Sequence, residues 1–311
     1  MNPINIKTGN AGKTILVTDS GLGGLSVFAQ IANHLKKKSP WQEVSMVYFN
    51  SWPEQDGGYN FFKSMDQRAE VFNNALNAMD EYQPDMILIA CNTLSVIYPF
   101  TSYSQSPKAR VAGIVDHGVL LIHENLVKDP DSSVIIFGTD TTISEKSHQK
   151  QLVKMGVDPA RIINQGCGYL PGEIEGNPFS TSLPKIIEAN VKKAVSKMNK
   201  PVGKVYAALC CTHFGYCKDL FHKSLSRYVN GDIIILNPNE RMAEHAVQGH
   251  DIKNTFSCDI NMHVVSKVFW ETETINAYVR LMKNISPETA KALAGYERNI
   301  DLFKAKKQFI A

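Results

Sequence analysis

The sequence predicts an α/β protein made of two similar halves, related by a pseudo-twofold duplication, each a parallel sheet covered by helices, with the active site in the cleft between them. Three observations predict this. Short apolar and β-branched runs alternate with segments of helical length along the whole chain. The runs are apolar at successive positions, as strands buried on both faces are, and do not alternate as half-exposed strands do. One spacing also occurs twice: a strand closing at Asp19 is followed 72 positions later by Cys91, and one closing at Thr139 is followed 72 positions later by Cys211.

In chain order the expected strands are "KTILVT", "VSMVYF", "DMILIA", "RVAGIV", "SVIIFG", "RIINQ", "KVYAAL" and "DIIIL". Between them lie helical stretches such as "SMDQRAEVFNNALNAMDEY" and "SLPKIIEANVKKAVSKM". Right-handed crossovers set the strand-to-helix turns along one sheet edge, where ligands bind. A chain of 311 residues accommodates two domains. The expected boundaries are 1–115 with 232–311 for a first, discontinuous domain carrying a C-terminal helical extension, and 116–231 for the second. In "NISPETAKALAGYERNIDLFKAKKQF", Ser286 can cap a helix and Pro287 can take its first position. Leu293, Tyr296, Ile300 and Phe303 then share a face. That face is expected to pack on its own domain, with a homodimer contact as the alternative use.

Composition narrows the function. Hydrophobic residues make up 43% and charged residues 20%, which provides an ordinary globular core. A formal net charge of +3 is too small to imply a nucleic-acid or membrane partner. No apolar stretch approaches the roughly eighteen residues of a membrane span. "MNPINIKTGNAGKT" lacks the basic and apolar regions of a signal peptide. Six cysteines, three of them within "CCTHFGYC", do not form a secreted disulfide framework. The expected setting is the reducing cytoplasm, and the expected partner is a small molecule.

Three stretches offer chemistry. "VTDSGLGGLSV" is a strand, an acid and a glycine-rich turn leading into a helix, where backbone N–H groups favour an anion. It is neither a dinucleotide fingerprint nor a P-loop, since Ser26 stands where the third glycine would and no Gly-Lys-Ser/Thr follows. Its plain structural reading is a tight turn with Asp19 capping the helix. "MILIACNTLSV" and "VYAALCCTHFGY" each place a thiol, Cys91 or Cys211, at a strand-to-helix junction. Such a junction favours thiolate over thiol, whereas most free cysteines are small buried hydrophobes. Asn92, Thr93 and Thr212 add donors suited to a carboxylate, and His213 is placed to relay a proton to Cys211. Cys167, Cys210, Cys217 and Cys258 read as core positions. "CCTHFGYC" also raises zinc, but neither paired C-x-x-C units nor C-x-x-C with H-x-x-x-H is present, so no metal is expected.

Together "DSGLGGLSV", "ACNTLSV" and "CCTHFGY" resemble the cofactor-independent glutamate racemases of the aspartate/glutamate racemase superfamily, in order and in approximate separation. "VAGIVDHGV", "FGTDTTISEKS" and "CGYLPGEIEGN" extend the resemblance, which runs from about residue 14 to about residue 250. It implies that Cys91 and Cys211 are opposed acid/base thiols, with Asp19 assisting the first and His213, with Glu175, the second. It implies that Ser20, Asn92, Thr93, Thr139, Thr142 and Thr212 hold the amino acid. It further implies a two-domain fold, no cofactor, pyridoxal included, and supply of D-glutamate for peptidoglycan. Two bases on opposite faces are the simplest way to invert an α-carbon, and thiols change charge at small cost near neutral pH.

One departure concerns the substrate side chain. The family's Pro-Tyr-Gly turn is missing, and "YFNSWPEQDGGYNFFKS" stands in its place, so Gly57, Gly58 and Tyr59 are expected to rebuild the turn. His117 stands where the family tends to have proline. The altered loop keeps open a racemase of aspartate or another substrate, or a cysteine-dependent isomerase. A binding protein that lost turnover is opposed by the presence of both thiols, Asp19 and His213.

Overall fold

The computed structural model describes residues 12–198, 203–247 and 257–305. The chain begins β1 (Gly12–Asp19), α1 (Leu25–Lys37), β2 (Glu43–Asn50), α2 (Met65–Met79), β3 (Met86–Ile89), α3 (Asn92–Ile97) and β4 (Arg110–Gly113). It continues through α4 (Ile114–Lys128), β5 (Ser133–Gly138), α5 (Asp140–Ser144), α6 (Ser147–Lys154), β6 (Ile162–Gly166), α7 (Leu170–Gly176), α8 (Leu183–Val195), β7 (Val205–Cys210), α9 (Lys218–Leu225) and β8 (Ile233–Leu236). The last elements are α10 (Pro238–Val247), β9 (Asp259–Ser266), α11 (Thr272–Lys283), α12 (Pro287–Ala294) and β10 (Glu297–Arg298).

Among the described residues the strands form two sheets, ordered β10-β9-β2-β1-β3-β4 and β6-β5-β7-β8. Pairing is parallel throughout the second sheet and across β10, β9, β2, β1 and β3 in the first. The fold is therefore α/β on two parallel sheets. The order β2-β1-β3-β4 matches β6-β5-β7-β8 strand for strand, as a duplication requires. The registers differ by one residue, however. Thr18 pairs with Ile89, which sets Asp19 beside Ala90, whereas Gly138 pairs with Cys210, which sets Thr139 beside Cys211. The equal spacing thus marks equivalent strands and not strictly equivalent residues.

Contacts divide the chain into two compact units. One holds the residues up to Ala90, Ile97–Ala112 and those from Ala243 onward; the other holds Cys91–Val96 and Gly113–Met242. The second unit outruns the expected 116–231 because β8 pairs with β7 in its sheet and does not return to the first. It also takes in the short Cys91 segment.

The second unit's core explains how its site is held. Every residue of β7 is buried, as the strand's unbroken apolar run demands. Phe137, Phe214 and Phe221 pack together, with ring centroids 5.0 Å apart for Phe137–Phe221 and 5.4 Å for Phe214–Phe221. Phe214 thereby anchors the turn after β7. In the first unit Ser64 and Gln67 form a reciprocal capping box at the start of α2.

Two expectations are corrected. The C-terminal helix is capped by Ser286 and opened by Pro287 as expected, but it stops at Ala294. Gly295 ends it, Tyr296 packs on Trp270 at 4.7 Å, and β10 joins β9, so Tyr296, Ile300 and Phe303 do not extend a helical face. β9 is a strand that the sequence reading omitted. The N-terminal segment and the final "KKQF" lie partly or wholly outside the described residues. No described helix is long and apolar enough to cross a membrane.

Candidate functional site

The site grows from the junctions that follow β3 and β7. In a parallel α/β unit the chain leaves a strand at its C-terminal end and turns into a helix, exposing backbone N–H groups there. Cys91 follows β3 and its carbonyl accepts from the Ser95 N–H at 2.9 Å, starting α3. Cys211 immediately follows β7 and stands at the N-terminus of a short 3-10 turn, Thr212–Cys217, where its carbonyl accepts from Phe214 N–H at 3.0 Å. Both thiols belong to the second unit.

Around Cys211 the side chains form a directed string. Its Sγ lies 3.8 Å from His213 Nδ1, and His213 Nε2 contacts the Glu175 carboxylate on α7. His213 is 8% exposed. Burial opposes charge on its ring, but the hydrogen bonds to Cys211 and to the Glu175 carboxylate outweigh it, and its pKa lies well above 6.5. The imidazole therefore faces the sulfur with a carboxylate behind it that favours its protonated form. The group can hold a proton beside Cys211 or return one.

A chain of hydroxyls joins the Cys91 junction to the turn after β5. Thr93 Oγ1 lies 3.1 Å from Thr139 Oγ1, which lies 2.9 Å from Thr142 Oγ1. Thr139 also caps α5 by accepting from Thr142 N–H at 3.2 Å. Asn92 is 2% exposed, and neither polar atom of its amide has a hydrogen-bond partner among the described residues. A buried, unsatisfied amide costs about 1–3 kcal/mol, a cost that a bound polar group removes. The second unit thus holds Cys91, Asn92, Thr93, Thr139, Thr142, Glu175, Cys211, Thr212 and His213, with Thr93–Thr139–Thr142 and Cys211–His213–Glu175 as its two connected groups.

The remaining expected residues lie in the first unit. Asp19 ends β1 and is 1% exposed. The N-cap position of α1 is Gly24. A Cβ on Gly24 would fall 2.7 Å from Asp19 Cβ and 3.2 Å from Ala90 Cβ, so the glycine lets the turn close over the acid. The same turn is fixed from β2: Tyr48 OH and Asn50 Nδ2 donate to Gly21 carbonyl at 2.6 and 3.0 Å. Ser20 at this turn is partly exposed.

The substituted loop has a definite conformation. Gly57 N–H donates to Glu54 carbonyl at 3.2 Å, and the loop is tied to the segment after β9 by Lys267–Glu54 at 2.8 Å and by Gln55 bonding Phe269 backbone. Gly58 lies under the Trp52 ring, where a Cβ would come within 2.6 Å of it. A larger side chain at Gly58 would therefore disturb the packing of this loop. Tyr59 is buried, its ring against Phe62 and Phe72, both with centroids 6.2 Å away.

The other cysteines are core residues. Cys167, Cys210, Cys217 and Cys258 are all buried. Burial raises all four thiols, Cys217 to about 12. Cys91 and Cys211 are equally buried, so exposure does not set them apart; the partners at their junctions do. Among the described residues no group of three or more His, Cys, Asp or Glu side chains is arranged to hold a metal ion. Sequence reasoning missed Asn239, whose Nδ2 donates to Thr212 carbonyl at 2.9 Å. Its only advance signal was an "NPN" turn directly after an apolar run.

No family model matches the chain. Over 261 residues it is 24% identical to the glutamate racemase of Campylobacter jejuni subsp. jejuni, a match covering 84% of this chain and 93% of that one. The solved structure of glutamate racemase from Campylobacter jejuni subsp. jejuni superposes with a TM-score of 0.62 at 23% identity, covering 87% of this chain and 97% of that chain. That of glutamate racemase from Francisella tularensis subsp. tularensis, in complex with D-glutamate, gives 0.64 at 16% identity, covering 87% and 94%. Both structural likenesses carry the fold over most of each chain.

Proposed function

We propose that this chain, a divergent relative of the glutamate racemases, interconverts L- and D-glutamate by passing the α-proton between Cys91 and Cys211. The observation that carries the proposal is the Cys211–His213–Glu175 string, a buried thiol facing an imidazole whose other ring nitrogen contacts a carboxylate. One thiolate takes the α-proton from one face while the other thiol returns a proton to the opposite face. Each turnover leaves the two thiols with exchanged protonation, ready for the reverse reaction. Asp19 is assigned to Cys91 the part that His213 plays for Cys211.

An amino-acid α-proton is very weakly acidic, so the negative charge that develops toward the carboxylate needs fixed donors. Asn92 and the Thr93–Thr139–Thr142 hydroxyls supply them, with Asn92, Thr93 and Thr142 buried and Thr139 half-buried. Ser20 and Thr212 complete the proposed amino-acid contacts, and the loop carrying Gly58 and Tyr59 is assigned to the side-chain carboxylate. The product serves peptidoglycan synthesis in the cytoplasm, and a homodimer is the proposed assembly.

The test is loss of optical activity from separate solutions of L-glutamate, L-aspartate and L-alanine incubated with the protein. Glutamate is expected to racemise fastest. Faster loss with aspartate moves the assignment to the neighbouring activity of the superfamily, and no loss with any amino acid removes the racemase reading. Growth of a D-glutamate auxotroph on this chain checks the biosynthetic role.

A further inference from the structure

The turn that carries Cys211 and His213 is gripped from outside by two asparagines that no part of the mechanism above uses. Asn239, wholly buried at the start of α10, donates from Nδ2 to the Thr212 carbonyl at 2.9 Å. Its own backbone N–H donates to Asn237 Oδ1 at 3.2 Å, and Asn237 Nδ2 donates to Glu240 at 3.1 Å. The pair lies directly on the turn: a Cβ at Gly215 would stand 3.2 Å from Nδ2 of both asparagines. Gly215 is therefore the residue that lets the turn settle onto them.

The peptide that Asn239 holds is the one linking Thr212 to His213. Rotation of that peptide swings the imidazole relative to the preceding Cys211 side chain. The 3.8 Å thiol–imidazole separation is long for a hydrogen bond and so is sensitive to such a rotation. We infer that Asn239 is a positioning residue, which fixes the Thr212–His213 peptide so that the imidazole stays aligned on the Cys211 sulfur. This rests on the reading of Cys211 as an acid/base thiol. Asn239 touches no reacting atom; it acts through the backbone of the turn. Asn237 in turn orients Asn239, and α10 supplies the rigid element on which both stand.

The test is alkylation by iodoacetamide across a pH series, with modification of Cys211 and Cys91 followed separately by peptide mass spectrometry. Only thiolate reacts, so each profile reports its own thiol and its neighbours. In Asn239→Ala, Cys211 should react at least about threefold more slowly near neutral pH and lose the inflection set by His213, while Cys91 keeps its wild-type profile. Asn239→Asp keeps the side chain's size and removes the donor; it should show the same selective change with an unaltered circular dichroism spectrum. Asn237→Ala should give a smaller shift of the same sign. In racemisation, kcat should fall with KM little changed. A Cys211 profile superimposable on wild type in both Asn239 variants overturns the inference. So does an equal change at both cysteines together with a lowered Tm, which is the mark of general loosening. Wild-type protein that racemises nothing, yet shows the selective Cys211 shift, removes the racemase reading and leaves the positioning role standing.

Discussion

Replacing Glu175 with glutamine removes the negative charge behind His213 while keeping its size and a hydrogen-bonding oxygen. In the wild type the carboxylate accepts from His213 Nε2, and burial of the ring works against its charge. A hydrogen bond to a charged group contributes about 1.5–3 kcal/mol. The His213 pKa should therefore fall in Glu175→Gln, because the charge that favours the protonated ring is gone. The Cε1–H resonance of His213, assigned by comparison with a His213→Gln variant, reads this directly. Stability follows with a fixed sign. A histidine raised above 6.5 in the folded state stabilises the fold fully below 6.5, and that contribution disappears as pH rises through the raised value. The stability gap between wild type and Glu175→Gln should therefore be widest below about 6.5 and close at alkaline pH. Racemisation should fall about ten- to a hundredfold if the whole interaction is felt in the transition state. An unchanged His213 titration in Glu175→Gln refutes the reasoning, because it leaves the imidazole's charge without its stated cause.

Cys91→Ser and Cys211→Ser should each lower racemisation by about 10²–10⁴-fold, the usual contribution of a positioned acid or base, as measured by coupled assay in both directions. Gly24→Ala should destabilise by about 1–3 kcal/mol in urea melts, because the new methyl falls 2.7 Å from Asp19 Cβ at the end of a packed strand. Gly58→Val should cost a similar amount, about 1–3 kcal/mol, through its clash with the Trp52 ring, so its activity loss should follow the loss of folded protein; full stability in that variant contradicts the packing described.

The sheets were legible because their strands carry unbroken apolar runs, and the two thiol junctions because each follows such a run directly. Ser286 and Pro287 announced α12 through local chemistry alone. What escaped depends on partners distant in sequence. β9 reads "DINMHVVS", a mixed pattern whose identity as a strand comes from pairing with β2, with Ser266 opposite Asn50. The end of the second unit was misplaced because "DIIIL" carries no mark of which sheet it joins. Gly58 read as freedom for a turn, and only the fold reveals the Trp52 ring above it. Asn239 is one asparagine among several until α10 lays it against the Thr212 carbonyl. Glu175 came from resemblance, since 36 residues separate it from Cys211 and nothing local ties an acid on α7 to a thiol after β7.

The central claim is that two different thiols serve the two faces of one α-carbon, and deuterium incorporation during a single conversion tests it most directly. L-glutamate and D-glutamate are incubated separately with the protein in deuterated water and sampled early, and the enantiomers are separated and weighed by mass spectrometry. The account predicts that the newly formed enantiomer carries one α-deuterium while the unconverted starting enantiomer stays protiated, from either side. Early deuterium in the starting enantiomer, or retention of the original α-hydrogen in the product, would mean that a single base serves both faces and would contradict the account.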